Sequence, residues 1–107
     1  MHLDLHTRNI PSTATLKEMA VHKAGLALDR FAHRIGRLTV RLYDTNGPKG
    51  GLDVDALALV ELREGTRLVV RGTYASPSEA INGIVERVRH AVQRSHERLV
   101  QSSQHAN

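Results

Sequence analysis

The chain contains no cysteine and no tryptophan. Without thiols there is no disulfide, no thiolate nucleophile and no cysteine-based zinc site. Aromatic residues make up only 3% of the sequence, and Phe31 is the single phenylalanine. The core must therefore come from Leu, Val, Ile and Ala, which suits thin layers of helix and sheet. Long apolar runs are missing as well. Met1 to Ile10 mixes His, Asp and Arg with its leucines, which fits neither a signal peptide nor a membrane span. A cytoplasmic protein with no membrane contact is the expectation.

Negative charge is in short supply. Eleven Asp and Glu stand against fifteen Lys and Arg, a net charge of +4, which favours a polyanionic partner such as nucleic acid or an acidic membrane. Twelve of the basic residues are Arg and three are Lys, and the planar guanidinium grips phosphate at two points. At 107 residues there is room for one domain, expected over residues 1–100 with a polar, frayed tail at 101–107.

Two periodicities alternate along the chain. His2 to His6 puts Leu3 and Leu5 on one side and His2, Asp4 and His6 on the other, a half-buried strand. Leu16, Ala20, Ala24, Ala27 and Phe31 then recur at helical spacing, with Thr15 and Glu18 or Ser12 as capping candidates and Gly36 as the stop. Leu38, Val40 and Leu42 restore the strand period, and Asn46 to Gly51 reads as a turn. Val54 to Leu62 and Arg67 to Tyr74 form an antiparallel hairpin around Gly65. Ser76, Pro77 and Glu79 supply an N-cap, a first-turn proline and a third-position acid. The helix they open keeps Ile81, Ile84, Val85, Val88, Val92 and Leu99 on one face and runs to about Leu99. The order β-α-β-β-β-α predicts an α+β two-layer sandwich, a four-stranded sheet with both helices on one face.

Catalytic patterns are missing. Ser76 and Ser78 belong to a cap, with no neighbouring His and acid to activate a hydroxyl. The glycines around Pro48 do not form a phosphate-binding loop. His2, Asp4 and His6 share a strand face, but alternate residues stand about 7 Å apart, too far for one ion to gather all three. No enzyme activity, metal or cofactor is expected.

The charge on the last helix is sorted. Arg87, Arg94 and Arg98 lie within about 40° of one another beside the apolar face, a stripe about 16 Å long. Ala80 and Ala91 share that flank and would allow a nucleic-acid backbone to approach, His90 borders it, and Glu79, Glu86 and Glu97 gather further round. The plainer alternative is a solvated face with intrahelical pairs, for which Arg94 and Glu97 have suitable spacing. Lys23 and Arg30 repeat the basic flank on the first helix. Whether the two flanks face the same way is not decided by sequence.

Taken in order, these residues resemble a known family. The β-α-β-β-β-α order, Asp44, the segment Asn46 to Gly51, Asp53, and Ala80-Ile81 followed by Val85, Arg87 and Val88 are similar to the ribosome hibernation-promoting factors, also called ribosome-associated inhibitors. The resemblance spans His2 to Arg98. It implies a fold like that of double-stranded RNA-binding domains. It also implies binding to ribosomal RNA of the small subunit, where transfer and messenger RNA sit, and inhibition of translation under stress. Lys23, Lys49, Arg87 and Arg94 match basic positions of the family. Val54 and Asp55 stand where members often carry basic residues, so part of the family's positive surface is absent. The chain looks like a short form, without the C-terminal dimerisation domain of longer members.

A different class of function follows from the sheet. If Ala56, Ala58, Val60 and Leu62 face the helices, Leu57 and Leu59 point outward beside Tyr43 and Val69. That apolar patch suits a protein contact or a homodimer through the open sheet face. A one-residue bulge would instead turn the leucines inward.

Overall fold

The computed structural model describes residues 1–11, 14–45 and 53–105. Four strands, β1 (His2–Arg8), β2 (Ile35–Asp44), β3 (Val54–Leu62) and β4 (Arg67–Tyr74), form one sheet in the order β1-β2-β3-β4. β1 pairs with β2 in parallel, and the other two pairings are antiparallel. Helices α1 (Ala14–Ala27) and α2 (Pro77–His105) pack on one face of it. The predicted two-layer α+β sandwich is the observed fold.

The core lies between the layers. Leu38, Val40 and Leu42 of β2 and Ala56, Ala58 and Val60 of β3 meet Ile81, Ile84, Val85, Val88 and Val92 of α2, all buried. Each large aliphatic side chain so buried contributes about 1.5–3 kcal/mol. Alanines at 20, 24, 56 and 58 let helix and sheet approach closely, which offsets the scarcity of aromatics.

The first helix departs from expectation. α1 stops at Ala27, and a separate 3-10 helix spans Asp29–Arg34. The apolar spacing continues through it because a three-residue turn also returns Leu28 and Phe31 to the core. Gly36 is not a helix stop. It lies in β2 where the register with β3 shifts between Ile35 and Arg37, and a Cβ there would stand 3.3 Å from the Glu61 carbonyl. Asn9, at φ 59°, ends β1 in the left-handed region that asparagine tolerates. Ser12, offered as a cap, and the turn from Asn46 to Gly51 with Lys49 lie outside the described residues.

The hairpin and the second cap follow the sequence closely. Gly65 sits at φ 108°, and its N–H donates to the Leu62 carbonyl at 2.9 Å. Ser76 Oγ accepts from the Glu79 N–H at 3.2 Å, the N-cap bond. α2 then continues to His105, beyond the expected end at Leu99, because nothing from Gln101 onward breaks a helix. Lys17 Nζ donates to the Leu3 carbonyl at 2.7 Å, covering part of the β1 edge.

Arg34 tests how closely the sheet end is packed. Its side chain is 14% exposed and its Nη2 donates to Glu64 Oε1 at 3.1 Å. Glu64→Ala strands that charge, so a loss of about 1 kcal/mol is expected in denaturant unfolding.

Candidate nucleic-acid interface

α2 turns two different flanks to its neighbours. On one, Glu86 accepts from Lys23 Nζ at 3.1 Å and from Arg89 Nε at 3.0 Å, and His96 meets the Phe31 ring at 5.7 Å between centroids. On the other, Arg87 Nε donates to the Tyr74 hydroxyl of β4 at 3.1 Å. The helix is wedged between α1 and the β4 edge, so the basic residues of the two helices do not merge into one groove. Lys23 is engaged in the interhelical ion triad. Arg30 belongs to the 3-10 helix, with its guanidinium 5.5 Å from the Phe31 ring centroid, so it does not continue the flank of Lys23.

Beside β4 the arginines do come together. Arg87, His90 and Arg94 line an open pocket of about 220 Å³ with Val70 and Arg71. Arg98 is exposed further along the same helix. The intrahelical pairing that would spend these cations is elsewhere: Glu97 accepts from Gln93 at 3.3 Å and Glu86 takes Arg89. Among the described residues no carboxylate pairs with Arg87, Arg94 or Arg98. Ala80 and Ala91 do not floor the stripe, since both are buried against the core.

Tyr74 is the positioning residue of this pocket. Its ring lies against Gly72 of its own strand and Gly83 of α2, where a Cβ at either position would collide with it. The ring occupies bare backbone and presents its hydroxyl to Arg87. Tyr74→Phe keeps the ring and removes the acceptor. It is expected to leave the melting temperature nearly unchanged while weakening polyanion binding a few-fold, read by RNA titration. Arg71, Tyr74 and Gly83 were not singled out by sequence. A glycine inside a strongly patterned helix was the available signal, since it commonly marks a close packing contact.

Glu86 has an electrostatic signature. Hydrogen bonds from Arg89 and then Lys23 outweigh its partial desolvation and hold its carboxyl below the usual range. The unfolded chain therefore binds a proton here more readily than the folded one. The resulting stability is complete above the ordinary glutamate range and is lost as the pH falls through the lowered folded value. Urea unfolding between about pH 6 and pH 3 should show a shallower acid decline in Glu86→Gln than in the wild type.

On the first strand, His2 Nε2 lies 3.1 Å from Asp4 Oδ1, and Arg37 donates to Asp4 Oδ2 at 2.6 Å. Desolvation raises the Asp4 pKa, but His2 and Arg37 together bring it below its ordinary value. No three His, Asp or Glu side chains converge on a common point among the described residues. No described helix is long and apolar enough to cross a membrane.

This arrangement, two helices on one face of a β1-β2-β3-β4 sheet, is that of ribosomal interface proteins. A ribosomal subunit interface protein from Coxiella burnetii superposes with a TM-score of 0.75 at 12% identity, covering 91% of this chain and 99% of that one. The N-terminal domain of Protein Y from Thermus thermophilus superposes with a TM-score of 0.72 at 24% identity, covering 88% and 98%. No family model and no curated protein sequence matches the chain. The similarity is one of fold.

Proposed function

We propose that this domain is a ribosome-associated translation inhibitor. In this reading it binds ribosomal RNA of the small subunit, in the channel used by transfer and messenger RNA, and blocks translation under stress by occupying it. The pocket of Arg71, Arg87, His90 and Arg94 carries the proposal. It gathers three arginines that have no carboxylate partner among the described residues, on a fold shared with a ribosomal subunit interface protein. Such a site holds phosphates by charge and bidentate hydrogen bonding and needs no chemical step. Arg98 extends it along α2. Lys23 and Arg30 on the α1 side, and Lys49 in the turn, are proposed as outlying contacts.

Co-sedimentation with separated ribosomal subunits tests the proposal. The protein should pellet with the small subunit at low salt and be released steeply as salt rises, because each neutralised phosphate frees counterions. Equal recovery with both subunits, or none with either, would refute it. A second reading is a protein contact or homodimer through Tyr43, Leu57, Leu59 and Val69, favoured by the outward direction of both leucines in an unbulged β3. Sedimentation equilibrium at high micromolar concentration separates that dimer from a monomer.

A further inference from the structure

The sheet face opposite the helices has two unlike ends. At one, charge is cancelled within the protein: Arg37 pairs with Asp4, and Arg67 lies 3.7 Å from Glu61. At the other it is not. Arg41 and Arg71 flank Leu57 across adjacent strands, and neither pairs with a carboxylate among the described residues. Asp55, beside Tyr43, accepts instead from Thr73 Oγ1 at 3.0 Å.

Tyr43 lies at this basic end, with the Arg8 guanidinium 5.2 Å from its ring centroid. Two open depressions of about 330 and 380 Å³ meet there and share Arg41 and Tyr43. Arg71 borders one of them and also the pocket of Arg87 and Arg94. Arg71 and Arg41 therefore lead from α2, over the β4 edge, to an exposed aromatic ring on the open face, with the Asp55 carboxylate in the same depression held by Thr73.

We infer that this end of the open face binds a single strand of RNA, with a base stacked at Tyr43 and phosphates on Arg41 and Arg71. The inference rests on the RNA reading of α2, which supplies the strand arriving over β4. An exposed ring beside unpaired arginines is the chemistry that single strands need, since every base has a face to stack. A second copy of the chain fits less well. A two-fold contact centred on Leu57 would press Arg41 and Arg71 toward their own copies, and like charges across an interface oppose association.

The test is fluorescence anisotropy of the full chain with a labelled oligouridylate of about ten nucleotides and, separately, a labelled RNA duplex. Tyr43→Ala should weaken the single strand about fivefold or more and leave the duplex unchanged, whereas Tyr43→Phe retains binding. Arg41→Ala should follow Tyr43→Ala. Tyr43 is 37% exposed, so its loss leaves the core filled, and thermal melting verifies the fold. Wild-type affinity of Tyr43→Ala for the single strand overturns the inference, as does a wild-type dimer that Leu57→Arg dissociates. Unchanged binding of both probes by Arg87→Ala with Arg94→Ala would sink the α2 reading instead, so the two failures are distinguishable.

Discussion

Replacing Arg87 and Arg94 together by alanine is expected to lower affinity for ribosomal RNA on the order of ten- to hundredfold at low salt. The same change should flatten the slope of log affinity against log salt by about two, one phosphate contact for each arginine. Both residues are exposed, line one pocket and have no carboxylate partner to release among the described residues. Their loss removes charge without stranding a buried group, so the melting temperature should scarcely move. Lys23→Ala is the useful contrast. Lys23 already holds Glu86 at 3.1 Å, so it must surrender that partner before gripping a phosphate. Its removal should cost less affinity and more stability near neutral pH, a loss that fades in acid as Glu86 takes up its proton. A double mutant that keeps wild-type affinity and slope would show that the stripe is not the contact.

The elements written in local chemistry were legible in the sequence. The β3-β4 hairpin has the expected limits because Gly65 meets the turn's need for positive φ. α2 begins where Ser76 and Pro77 place it. What failed were inferences from spacing alone. Leu28 and Phe31 keep their apolar rhythm in a 3-10 turn as well as in an α-helix, so the break after Ala27 left no mark. The end of α2 leaves no mark in the sequence, because Gln101 and its neighbours have no apolar pattern although the helix runs to His105.

The site divided in the same way. A wheel of one helix needs only 3.6 residues per turn to set Arg87, Arg94 and Arg98 on one flank, and of these Arg87 and Arg94 line one pocket in the structure. It could not say that Ala80 and Ala91 would be buried. Nor could it say that Lys23 would meet Glu86 on the opposite flank. Arg71 and Tyr74 come from β4, and their arrival beside Arg87 depends on how α2 lies across the sheet. A mid-helix glycine was the trace of that packing in the sequence.

Gly83 therefore supports the second large prediction. Alanine in place of a helical glycine ordinarily stabilises by about 0.5–1 kcal/mol. Here the new methyl group would run into the Tyr74 ring, and the expected result is a loss of about 1–3 kcal/mol. For a domain of this size the melting temperature should fall by roughly 5–15 °C. The displaced ring would also withdraw its hydroxyl from Arg87, so RNA affinity should fall although no charge has changed. In a Tyr74→Ala background the obstacle is gone, and Gly83→Ala should become stabilising. That reversal, measured by a double-mutant cycle, separates steric conflict from a general intolerance of helix substitution. If Gly83→Ala raises the melting temperature of the otherwise wild-type chain, Tyr74 does not occupy the glycine surface, and its positioning of Arg87 must be abandoned.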